Sequence, residues 1–204
     1  MIIMRPFTRS ETIGTSLILL IIVLLTLSNL RVSLRRARDS QRKADINAIV
    51  DALDKYQKDF GFFPPSTEDG KIKACKSDDF GPIPESVPEG DRKSYFLSML
   101  RGCDWGKDGL KDINDDSYPP YLAIIPSDPK AGQGYSYLYI SDMDRFQLFA
   151  YLEGRKSEVG FRQGIVDRNL NCGINICNYG KAYGDTPLEK SIQEYENELR
   201  SKGD

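Results

Sequence analysis

The chain has 204 residues, room for one globular domain with an accessory segment but not for two large domains. It contains no histidine, which excludes Ser-His-Asp and Cys-His catalytic sets and argues against the usual zinc and haem sites. Its charge is unevenly spread: residues 1–30 are net +1 and residues 31–43 net +5, so against a total of −2 the remaining residues 44–204 are net −8. A basic collar before an acidic body argues against direct nucleic-acid binding. It suits a collar beside anionic lipid headgroups and a body kept soluble by charge.

Residues 1–12 carry Arg5, Arg9 and Glu11 and read as a leader-like segment. Residues 13–30 contain no charge, and 17–27 read LILLIIVLLTL. Eighteen helical residues span about 27 Å, close to the thickness of a hydrocarbon core. A cleaved secretory signal is disfavoured, because the basic stretch SNLRVSLRRARD follows where a small-x-small site should stand. A retained single-pass anchor is the preferred reading. Arg5 and Arg9 favour a cytoplasmic N-terminus, whereas the larger collar at 31–43 favours the reverse.

No helix breaker occurs from 31 to 60, and Gly61 followed by Pro64-Pro65 supplies a stop. Ala37, Gln41, Ala44, Ala48, Ala52 and Tyr56 recur at helical spacing, and Ile46, Ile49, Leu53 and Phe60 broaden that face. Asp45, Asp51, Asp54 and Lys58 fall at wetter positions. One helix from about 13 to 60 is expected, its first half apolar all round and its second half (31–63 with the exit) amphipathic.

Residues 64–185 read as a loop-rich body with a small sheet. A short helix is expected near 92–100, a strand or turn-strand unit at 118–125, and strands at 135–140 and 146–152 joined through 141–144. Tyr135, Tyr137 and Tyr139 recur with period two and point to a packed sheet face. The four cysteines, Cys75, Cys103, Cys172 and Cys177, admit three pairings. Local loop closure favours Cys75–Cys103 with Cys172–Cys177, and four reduced core cysteines are the alternative. At 186–202, Thr186, Pro187 and Glu189 read as N-cap, first turn and capping box of a terminal helix.

Pro6-Phe7-Thr8-Arg9-Ser10-Glu11 resembles the processing motif of type IV pilins and type II secretion pseudopilins in Phe7, Thr8 and Glu11. Ser28-Asn29-Leu30 resembles a proline-asparagine-leucine segment of that family, and residues 37–64 are similar to the continuation of its helix. IPSDPKAGQGYSYLY at 125–139, followed by FQLFAYLE, resembles the loop and sheet region of the secretion-type major pseudopilin. The chain departs from the family at Pro6, which replaces the glycine before the cut, at Arg9 and Ser10, which replace an apolar pair, and at Ser28, which replaces a proline.

The resemblance implies an α+β, pilin-like fold: a long N-terminal helix, half transmembrane and half amphipathic, on a small antiparallel sheet, with the C-terminal helix as an addition. It implies a structural subunit of a type IV pilus or pseudopilus rather than an enzyme. Its partners would be copies of itself, other pilin-like subunits, the lipid membrane, a prepilin peptidase and an assembly platform. The body would lie outside the cytoplasmic membrane, and the subunit would pass into an extracellular filament. Cutting would fall between Pro6 and Phe7, with methylation of Phe7, and Glu11 would face the N-terminus of an adjacent subunit. A position at the headgroup boundary beside Arg9 is the alternative for Glu11. The secretion-type family also points to calcium. One candidate loop contains Asp167, Asn169, Asn171 and Asn175; a second contains Asp104, Asp108, Asp112, Asp115 and Asp116. A membrane-anchored binding module that does not polymerise is the alternative function.

Overall fold

The computed structural model describes residues 8–154, 156 and 159–203. Helix α1 (Arg9–Phe60) runs 52 residues, about 78 Å. Thr8 caps its start in a capping box with Glu11, so the helix begins ahead of the apolar run rather than at 13. Gly61 ends it in a left-handed conformation (φ 77°) and donates its N–H to the Gln57 carbonyl.

The body adds β1 (Lys73–Lys76), α2 (Arg92–Ser98), β2 (Leu100–Gly102), β3 (Leu138–Ser141) and β4 (Phe146–Ala150). It continues with α3 (Gln163–Asp167), β5 (Asn171–Cys172), β6 (Asn175–Ile176), β7 (Tyr179–Ala182) and α4 (Ile192–Gly203). Three small antiparallel sheets form among the described residues: β1-β2, β3-β4-β7 and β5-β6.

The main sheet separates two apolar layers. All five residues of its central strand β4 are buried. Strand alternation turns Phe146, Leu148 and Ala150 toward α1, where Ile46, Ile49, Leu53 and Tyr56 wait, and turns Phe149 toward Ile165, Leu188 and the Cys172–Cys177 pair. Tyr137 and Tyr139 lie on the α1 side and are buried; Tyr139 donates to the Pro64 carbonyl at 2.7 Å. Buried Gln147, on the opposite face, donates to the carbonyls of Pro187 and Lys190 and accepts from Arg168. Asn178 lengthens the β4–β7 pairing: its side chain accepts from Leu152 N–H at 2.7 Å and donates to Leu152 C=O at 2.9 Å.

Several expected elements move. The buried face of α1 runs through Asp39, Arg42, Ile46, Ile49, Leu53 and Tyr56, while Ala37, Gln41 and Ala44 are exposed. At residues 37–44 the heavier Asp39 and Arg42, not the alanines, take the covered side; farther along, Ala52 is buried with Ile49, Leu53 and Tyr56, as the spacing implies. Residues 118–125 form no strand; Leu110 and Leu122 make a single bridge, and Pro119-Pro120 removes two backbone donors. The terminal helix starts at Ile192, not at Thr186. Ser191 is its cap: the Ser191 N–H donates to Glu194 at 2.8 Å and the Glu194 N–H to the Ser191 hydroxyl at 3.1 Å. Thr186 is buried against the body instead.

Candidate functional site

The feature that sets this molecule apart is the exposed first half of α1. Ile13, Leu17 and Leu25 are 70%, 58% and 62% exposed, and none of the most apolar 18-residue window is buried. This is one helix near the N-terminus long and apolar enough to cross a membrane. Two of its hydroxyls bond back within the helix: Thr15 donates to the Glu11 carbonyl at 2.7 Å and Thr26 to the Ile22 carbonyl at 2.8 Å. An apolar solvent therefore meets no unpaired hydroxyl donor at those two positions.

Glu11 stands at the start of this segment, exposed. Its carboxylate accepts from the Thr8 N–H at 2.8 Å and from the Thr8 hydroxyl at 2.8 Å. Pro6 and Phe7, the residues flanking the expected cut, lie outside the described residues.

Where α1 enters the body, a charged clasp holds it. Arg42, with a fully buried side chain, makes a bidentate pair with Asp128 (2.7 and 3.0 Å) and reaches Asp39 (2.8 Å) and Glu153 (2.9 Å). Arg38 grips Glu153 through two bonds of 2.8 Å, and Lys130 adds a third cation at 2.7 Å. Asp39 also accepts the Glu153 N–H at 2.9 Å. Tyr135 lies under both Arg42 and Lys130. Burial opposes the charge on Arg42, but its bonds to Asp128, Glu153 and Asp39 outweigh that and hold its pKa well above the usual guanidinium value. Arg38's hydrogen bonds, against the cost of burial and with Lys130 and Arg42, hold Glu153 far below the usual carboxylate range. One turn further along, Tyr137 donates to Asp45 at 2.6 Å. Burial raises Asp45's pKa, and the tyrosine bond offsets part of that.

Sequence reasoning missed this clasp. The available signal was Arg42 itself, a cation at a core position in the stripe 42-46-49-53-56. Asp128 and Glu153 carried none, because only the fold brings them to the helix.

The four cysteines form Cys75–Cys103 and Cys172–Cys177. The first ties β1 to the end of β2, and the second closes the β5–β6 hairpin. Gly173 (φ 72°) turns that hairpin; a Cβ there would meet the Gly134 carbonyl oxygen at 2.0 Å.

In the first candidate calcium loop, Asn171 and Asn175 do not share a face. Asn171 pairs with Ile176 and Cys172 with Asn175, so alternation turns Asn171 and Asn175 to opposite faces of the hairpin. Asp167 accepts from Gln163 within α3, and Asn169 occupies a left-handed turn. In the second loop each carboxylate has its own work. Asp104 pairs with Lys71, Asp108 with Arg101 and Asp116 with Lys76, while Asp112 and Asp115 accept turn N–H groups. No group of three or more acidic or cysteine residues among the described ones is placed to hold a metal ion.

No family model, curated protein or solved structure matches this chain.

Proposed function

We propose that this protein is a structural subunit of a type IV pilus or secretion-type pseudopilus, held by α1 in the cytoplasmic membrane with its body outside until assembly. The observation that carries the reading is the two-sided character of α1. One unbroken helix buries one face of its second half in a folded body, and none of its most apolar 18-residue window is buried among the described residues. Such a half needs lipid or the equivalent helices of other copies. Two disulfides support an extracytoplasmic body. The Phe7, Thr8 and Glu11 pattern supports processing before Phe7 and a charge pairing between Glu11 and a neighbouring N-terminus. A carboxylate in an apolar bundle is costly without such a cation.

The capping box makes a clean test available. Glutamine at the third helical position still closes the box, whereas alanine does not. Glu11→Gln therefore keeps the cap and removes the charge. We expect Glu11→Gln and Glu11→Ala both to stay in the membrane and both to lose most filament yield. Normal filaments from Glu11→Gln would reduce Glu11 to a helix cap. A wild-type chain that remains monomeric in membranes, with the rest of the assembly apparatus present, would overturn the filament reading and favour a tethered binding module.

A further inference from the structure

We propose that the collar of α1, through Arg31 and Arg36, docks the membrane-proximal end of the body on anionic phospholipid headgroups. The inference rests on the reading above that residues 13–30 lie in a bilayer. Arg31 is the first residue past Leu30, and the rise from Arg31 to Arg36 is about 8 Å. The headgroup zone on one side of a bilayer is of the same order, about 5–8 Å. Both guanidinium groups thus stand at phosphate depth.

Two of the cations at this end, Arg31 and Arg36, are in none of the ion pairs among the described residues. Among the described residues, three carboxylates near the collar are already committed: Asp39 and Asp128 to Arg42, and Glu153 to Arg38, Arg42 and Lys130. Arg31 and Arg36 are exposed and have no carboxylate contact among the described residues. Val32 and Leu34, 44% and 50% exposed, alternate with them. Apolar side chains beside long cations are the composition of an interface layer, where stems lie along acyl chains and heads reach phosphate. A guanidinium presents a planar fork that matches a phosphodiester, so arginine is the fitting cation. An acidic protein surface is the competing occupant.

The full chain reconstituted in phosphatidylcholine vesicles with a minor fraction of phosphatidylglycerol tests this. Electron paramagnetic resonance of spin-labelled lipids reads which lipid is held at the protein boundary. Phosphatidylglycerol should be enriched over phosphatidylcholine, and the enrichment should fall with salt. Arg31→Gln with Arg36→Gln should abolish it, losing up to about fivefold per arginine. Arg31→Lys with Arg36→Lys should retain most of it. Melting of the body should be unchanged in both double variants, since both positions are exposed. Equal association of the two lipids in the wild type, or selectivity that survives the double glutamine change, would overturn the proposal and leave a protein surface as the collar's partner. Flotation separates the two readings. A chain that does not float with the vesicles sinks the anchor and the docking together, and one that floats without lipid selectivity sinks the docking alone.

Discussion

Arg42 is charged with none of its side chain exposed, and that is tolerable only because three carboxylates surround it. Arg42→Ala would leave Asp39 and Asp128 buried beside each other without their cation. We expect about 3–5 kcal/mol of lost stability in chemical denaturation. Arg42→Met should cost a similar amount, because it fills the space but leaves the same carboxylates uncompensated. Glu153 gives the clasp a pH signature. Its pKa in the folded state lies below the unfolded value near 4.5, so its contribution is present at neutral pH and is lost as pH falls below about 4.5. Asp45 is raised from 3.8 and acts with the opposite sign, its contribution fading as pH rises through its folded pKa. Acid titration of stability should show a steeper fall below pH 4.5 in the wild type than in Glu153→Gln. Parallel curves would remove Glu153 from the account.

Elements were legible where local chemistry decides them. The stop of α1 at Gly61, the β3–β4 hairpin and the short α2 follow from residues within a few positions of each boundary. The start of α4 did not, because two capping patterns stand five residues apart. Thr186-Pro187-Leu188-Glu189 is spent on the body: Gln147 takes the Pro187 and Lys190 carbonyls, and Thr186 is buried. Only Ser191 and Glu194 remain free to cap. Ser191→Ala should weaken the first turn of α4 by about 1 kcal/mol, read as faster amide exchange over residues 192–197. Thr186→Ala should leave that exchange unchanged. At residues 37–44 the covered side of α1 departs from the alanine spacing for a related reason. Alanine spacing marks a helix face as readily as leucine spacing does, but the tyrosines of β3 and its approach choose which face is covered. The two disulfides differ in leverage. Cys75–Cys103 closes a separation of 28 residues and Cys172–Cys177 one of 5. Loop-closure entropy puts about 3–4 kcal/mol on the first and about 2 on the second. The paired serine variants should rank in that order in denaturant midpoint.

At the scale of the whole molecule, the architecture is a body on a stalk. The stalk's lower half is exposed among the described residues, and the clasp ties the upper half to the body. That division was readable from the uniform apolar run and the break at Gly61. The clasp was not, since Asp128 and Glu153 lie 86 and 111 positions from Arg42. In the filament subunit proposed above, that connection would let the body carry its helix out of the bilayer. The most direct test of that account is the N-terminus and intact mass of the protein recovered from sheared filaments and from membranes. A filament fraction beginning at Phe7, with the added mass of a methyl group, and a membrane pool awaiting assembly are expected. A chain found only in the membrane and beginning at Met1 would contradict that account.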